Sequence, residues 1–223
     1  EYSPKRMPAI PPRPVTTPKS TRCTVCLKAI GLWFRENRQL PFVGKVNGVS
    51  SLAYEVSLLR SQLQGIAEEM GRLLARSAFS PNITERLDLS CALFGEQGEL
   101  LAQAAHIPVH LGSLPDLLTA IHAKPQRPGD CWIANSPYHG GTHLPDLTLV
   151  KPIFEARVLI GYAATRAHHS DVGGMTAGSM PNSQEVFQEG LILPPLLLLK
   201  SGKPTDLWEL LLANVRTAGE REG

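Results

Sequence analysis

Leu147-Thr148-Leu149-Val150-Lys151-Pro152-Ile153-Phe154, Glu155-Ala156-Arg157 and Val158-Leu159-Ile160-Gly161-Tyr162-Ala163-Ala164 form two apolar runs joined by three residues. Short runs rich in β-branched and aromatic residues, closed by a tight turn, read as paired strands. Antiparallel pairing through that turn brings the segment before the first run beside the segment after the second. His143 and Asp146 precede the first run, and His168 follows the second. Two imidazoles and one carboxylate, with coordination positions left open, are the donor set of a catalytic divalent ion. Zinc, manganese and iron are not separable by these ligand types alone.

The flanks of the hairpin strengthen that expectation. Tyr138-His139-Gly140-Gly141-Thr142-His143-Leu144-Pro145-Asp146 and Ala167-His168-His169-Ser170-Asp171-Val172-Gly173-Gly174 thread histidines and aspartates with glycine. Glycine, lacking Cβ, lets the backbone approach whatever such a site holds. A single loop histidine is most often only solvated or hydrogen-bonded, and it is the clustering that sets these apart. Pro145 fixes the backbone before Asp146. His139 and His169 are alternative ligands, and Asp171 is a candidate to orient a histidine.

Two further polar groups stand out. His106 and His110 flank Ile107-Pro108-Val109 and lead toward Ser113, a plausible N-cap of a helix over 113–123 with Pro115 in its first turn. Exposed N–H groups there would suit an anion or an amide oxygen, or else the two histidines only cap or pack. In Glu85-Arg86-Leu87-Asp88-Leu89-Ser90, Asp88 and Ser90 share one face of a strand, as an active-site wall or as the wet face of an edge strand.

The remaining elements place these groups in a fold. Leu52, Val56, Leu59, Leu63, Ile66, Met70 and Leu73 recur at steps of four and three, one side of a long helix. Leu87 to Phe94 and Glu99 to Ala104, around Gly95-Glu96-Gln97-Gly98, form a hairpin signal. Cys131 to Ala134 reads as a strand and Asp206 to Arg216 as a final helix. Strands and helices mix without βαβ regularity, so the expected class is α+β, a mixed sheet with the long N-terminal helix packed on it. Residues 51–223 form that domain. Residues 1–50 open with Pro4, Pro8, Pro11, Pro12, Pro14 and Pro18 and read as an extended tail in front of it.

Composition excludes some functions. The 223 residues are 43% hydrophobic with a net charge of +2, too balanced to argue for nucleic acid or an anionic membrane. No run approaches the roughly 18 apolar residues a membrane span requires. The first residues lack a signal-peptide core, so a cytoplasmic location is expected. Cys23 and Cys26 form a CxxC without the second pair of a zinc ribbon, and Cys91 and Cys131 read as small buried hydrophobes. Leu191 to Leu199 and the stripe from Leu52 to Leu73 are expected to leave apolar surface exposed.

Several long motifs carry a specific resemblance. They are Ser80 to Ala92, His106 to Ser113, the run His139 to Asp146, and Ala167 to Gly174, in that order. Over about residues 52–218 the chain resembles the hydantoinase B/oxoprolinase family, which also embraces acetone carboxylase subunits. The resemblance implies a component of an ATP-dependent cyclic amidohydrolase. A hydantoinase A-type partner binds ATP and activates a small cyclic amide, and the B-type part completes ring opening with water. It carries over a metal set of His143, Asp146 and His168, beside which Asp88, His106, His110 and His169 are the catalytic candidates. It further implies a hetero-oligomer, with this chain the first portion of a longer domain; the alternatives are an acetone-carboxylase-like metal-dependent subunit or a truncated, non-catalytic fragment. The chain has Ser136 where the family usually has aspartate.

Overall fold

The computed structural model describes residues 49–105, 107, 109–178 and 181–216. The proline-rich stretch up to residue 48, with Cys23 and Cys26, lies outside the described residues, as do His106 and the residues after 216. Helix α1 (Val49–Ser77) and the short α2 (Pro81–Thr84) lead into the hairpin β1 (Leu89–Gly95) and β2 (Leu100–Ala105). Helix α3 (Val109–His122) follows, then β3 (Cys131–Ala134), β4 (Asp146–Glu155), β5 (Val158–His168), β6 (Leu196–Lys200), β7 (Lys203–Pro204) and helix α4 (Asp206–Ala213).

The strands form one seven-stranded sheet in the order β2-β1-β5-β4-β3-β6-β7. The class is α+β as expected, but the sheet is not mixed: each described pairing is antiparallel. The reason lies in the connections. Most are hairpins or short loops, too short for the crossover that parallel neighbours need.

Alternation along the strands divides the sheet into two faces. One face buries Ala92, Phe94, Trp132, Val150, Tyr162 and Ala164 under Leu114, Leu117, Leu118 and Ile121 of α3. The other buries Leu89, Cys91, Leu93, Ala163 and Ala167 under Ile66 and Met70 of α1. On that same face, Cys131, Ile133, Leu198 and Leu199 meet Leu207, Trp208 and Leu211 of α4. Only part of the α1 stripe is covered: Val56 and Leu59 near its start are each 51% exposed.

Two expectations are corrected. Helix α3 does not begin at Ser113 but four residues earlier, at Val109, so Ser113 and His110 lie inside it and Pro115 is an interior proline. Pro115 needs no N–H partner, and its helical backbone is set by the Leu114, Leu117 and Leu118 packing on the sheet. The Leu191 to Leu199 run is mostly enclosed: β6 pairs with β3, Leu193, Leu198 and Leu199 are buried, and only Leu196 of its leucines stands exposed.

The central hairpin pairs Glu155 with Val158 around Ala156 and Arg157, whose φ values are 45° and 74°. Positive φ at both central residues is the type I′ requirement, which suits the twist of the strands. Neither residue is glycine, and each non-glycine residue in this region costs about 1–2 kcal/mol. Replacing the pair by Ala156→Asn with Arg157→Gly is therefore expected to raise the unfolding free energy by about 1 kcal/mol. Urea denaturation measures it, and an unchanged or lowered midpoint would contradict the turn assignment.

Candidate metal centre

Asp146 and His168 are direct partners across β4 and β5, at the end of the sheet opposite the turn. Both side chains are buried on the α3 face. A carboxylate can only accept, so His168 Nδ1–H donates to Asp146 Oδ1 at 2.8 Å. His168 Nε2 is then left buried with no hydrogen-bond partner. The other carboxylate oxygen, Oδ2, accepts from Thr142 Oγ1 at 2.8 Å and lies 3.5 Å from His110 Nε2.

β1 lies beside β5, and that neighbour supplies the next wall. The His168 N–H donates to the Asp88 carbonyl at 3.0 Å, which extends the ladder one residue past β1. The Asp88 carboxylate stands 3.8 Å from both His110 Nε2 and His168 Nδ1 and is partly open to solvent. Ser90, two residues along on the same face, has its Oγ 3.0 Å from His110 Nδ1. Nε2 faces two acceptor-only carboxylates, so it carries a proton directed at them.

His143 arrives by a loop that glycine permits. Gly140 has φ +78°, and a Cβ there would collide with the Ser113 carbonyl and come within 2.8 Å of Leu117 N. A Cβ on Gly141 would collide with the Asn135 carbonyl. The loop is thus pressed between α3 and the end of β3, and only glycine fits both places. Asn135 fastens it further: Nδ2 donates to the carbonyls of Leu144 and Leu191, and Oδ1 accepts from Leu193 N. His143 ends with its ring centroid 5.3 Å from that of His168.

The result is two overlapping groups. His143, Asp146 and His168 each offer a donor atom within 4.8 Å of the others, and Asp88, His110 and Asp146 do likewise. Burial alone would raise the Asp146 pKa, but hydrogen bonds from His110, His168 and Thr142 outweigh it and hold the carboxyl well below its usual range. The donor set fits a divalent ion on three grounds. It is rich in imidazole, its shared carboxylate stays ionised, and His168 Nε2 has no protein partner.

Five of the seven sequence candidates come together here: Asp88, His110, His143, Asp146 and His168. His169 does not. It lines a cavity of about 190 Å³ on the opposite sheet face, among Leu74, Ile83, Leu147 and Trp208. The alternative ligand His139 is bonded through Nδ1 to Ser136 Oγ, and Asp171 pairs with Arg216 at 2.9 Å. Sequence reasoning missed Thr142, Asn135 and Arg166. Arg166 had a signal, an arginine between the hairpin's second apolar run and His168, two residues before that ligand candidate.

The model for the hydantoinase B/oxoprolinase family matches residues 53–223. An uncharacterised protein of Methanocaldococcus jannaschii is 48% identical over 170 residues, which are 72% of this chain and 30% of that protein. A 5-oxoprolinase of Saccharomyces cerevisiae is 44% identical over 152 residues, 66% of this chain and 12% of that enzyme. Among solved structures, an ATP-dependent caprolactamase from Pseudomonas jessenii superposes with a TM-score of 0.65 at 29% identity. That match covers 80% of this chain and 31% of the caprolactamase chain. The chain thus spans less than a third of the length of these proteins.

The depressed Asp146 pKa has a consequence for stability. A carboxylate with a folded pKa below its unfolded value near 3.8 contributes stability that is complete above that value and lost as pH falls through the folded one. In urea unfolding of the metal-free chain between about pH 5 and pH 2, stability should fall more steeply in the wild type than in Asp146→Asn. Parallel profiles would contradict the assignment.

Proposed function

The chain belongs to the hydantoinase B/oxoprolinase family, and from that premise we propose that it carries the metal-binding ring-opening centre of an ATP-dependent cyclic-amide hydrolase. The observation that carries the reading is the buried Asp146–His168 pair with His143 beside it and His168 Nε2 left unpartnered. The family match and the likeness to a caprolactamase support the substrate class, a small lactam or related cyclic amide.

His143, Asp146 and His168 would hold one divalent ion, of zinc, manganese or iron type. Such an ion supplies Lewis acidity toward a carbonyl oxygen and lowers the pKa of bound water. The protein's own groups do the rest. Thr142 and His110 fix the second carboxylate oxygen of Asp146, so the donor geometry is set before a ligand arrives. Ser90 orients the His110 ring. Asp88, the one partly solvent-open carboxylate of the group, is positioned to take a proton from attacking water and return it to the leaving ring nitrogen. The balance is one ATP and two waters consumed. The γ-phosphoryl group passes to the amide oxygen and ADP leaves. One water gives hydroxyl to the carbonyl carbon and a proton to nitrogen as the C–N bond breaks, and the second frees phosphate from the acyl phosphate so formed. ATP enters at a partner of the hydantoinase A type, which activates the amide before water attacks. The working unit is on this reading a hetero-oligomer.

The test is to assay the chain with an A-type ATP-binding subunit, ATP and 5-oxoproline, a hydantoin or caprolactam, with metal content measured in parallel. Ring opening that needs ATP, together with about one equivalent of divalent ion, is expected. His143→Ala and Asp146→Asn should lose ion and activity together. Ring opening at the wild-type rate in ion-free Asp146→Asn would overturn the assignment.

A further inference from the structure

We propose that Arg166 is a positioning residue for this centre: a single buried guanidinium that clamps together the chain segments on which the donor side chains stand. The inference rests on the metal reading above and extends it to a residue outside the donor set.

Its place follows from the register. Arg166 lies two residues before His168 on β5, so both face α3. Across the sheet it is opposite Thr148 on β4 and opposite Ser90 on β1. It is fully buried. Nε donates to Thr148 Oγ1 at 2.7 Å, on the strand that begins with Asp146. Nη1 donates to Ser113 Oγ at 2.6 Å and reaches the His110 carbonyl at 3.4 Å, in the opening turns of α3. Nη2 donates to the Gly140 carbonyl at 2.6 Å, where the loop to His143 begins. One side chain therefore ties the strands, the helix carrying His110 and the loop carrying His143.

Energetics say why such a residue is not there for stability alone. Its partners are neutral hydroxyls and carbonyls, and a buried cation without a directly paired carboxylate carries a large desolvation cost. Burial draws its pKa down to about 10, an effect that the charge of Asp146 partly opposes. The same sheet face a few residues along is filled by Ala92, Val150 and Ala164, so an apolar side chain would suit the packing at less cost. Nor does its charge attract a metal ion, since like charges repel. What remains is geometry. A rigid fork of five donors spans acceptors on separate segments, which an ammonium on a flexible stem cannot do.

Arg166→Lys keeps the charge and removes the fork, and Ser113→Ala removes one acceptor with little risk to folding. Each full-length variant is titrated with cobalt(II), whose visible absorption reports coordination geometry, and hydrogen exchange is followed in the metal-free chains. In Arg166→Lys the cobalt Kd should rise by about 10- to 100-fold, as when groups that orient metal ligands are lost. The absorption should change, and amides of residues 140–146 should exchange faster while β1 and β5 stay protected. Ser113→Ala should show the same signs more weakly, and it decides the matter where Arg166→Lys fails to fold. A merely structural residue would lower protection across the whole sheet and leave the Kd of the folded protein unchanged; that result overturns the proposal. Equal cobalt binding by wild type and both variants overturns it while sparing the metal reading, whereas a wild type that takes up no cobalt removes both.

Discussion

Antiparallel pairing of β4 with β5 sets Asp146 directly opposite His168, and their 2.8 Å hydrogen bond closes the end of the hairpin. Pairing fixes more than two residues. A slip of one position would turn both side chains to the other face and bring His169 and Leu147 into their place. Because β5 is central, with β1 on its other side, the same register delivers Asp88 and Ser90 to the site. The sheet thus behaves as a ruler on which the polar groups of one face are laid out at one end and the apolar groups at the other.

The two faces serve different ends. Beneath α3 the apolar core formed by Phe94, Leu118, Val150 and Tyr162 passes into a polar end where Arg166, Thr148, Ser90 and the ligand residues gather. That transition occurs within two residues along β4, from Val150 to Thr148 to Asp146. Polar groups so deeply placed are tolerated because nearly all are bonded to one another, and a half-satisfied network would cost more than an apolar one. The opposite face, beneath α1 and α4, is apolar throughout its packed clusters and holds the cavity at which His169 sits. Adjacent histidines in the sequence therefore belong to different environments.

Much of this was legible in the chain because it is local. The hairpin announced itself by two apolar runs of strand length, although its turn, Ala156-Arg157, lacks the glycine or asparagine that marks most type I′ turns. The convergence of His143, Asp146 and His168 followed from that hairpin alone. Asp88 and His110 were visible as polar residues near helix and strand ends, but their meeting with Asp146 depends on β1 lying beside β5, a long-range pairing no local pattern encodes. Helix α3 was read four residues short because proline and serine resemble a helix start, whereas tertiary packing carries the helix through Pro115. Arg166 escaped notice for a related reason: the apolar pattern fades at Ala164, yet the ladder continues to His168.

The most direct measurement is anomalous X-ray diffraction from crystals of the chain grown with zinc, with data collected on both sides of the zinc absorption edge. The account predicts one strong anomalous peak in contact with donor atoms of His143, Asp146 and His168, at about 2.0–2.2 Å from each. A zinc-saturated crystal with no peak there, or with its peak at His169 on the opposite face, would contradict it.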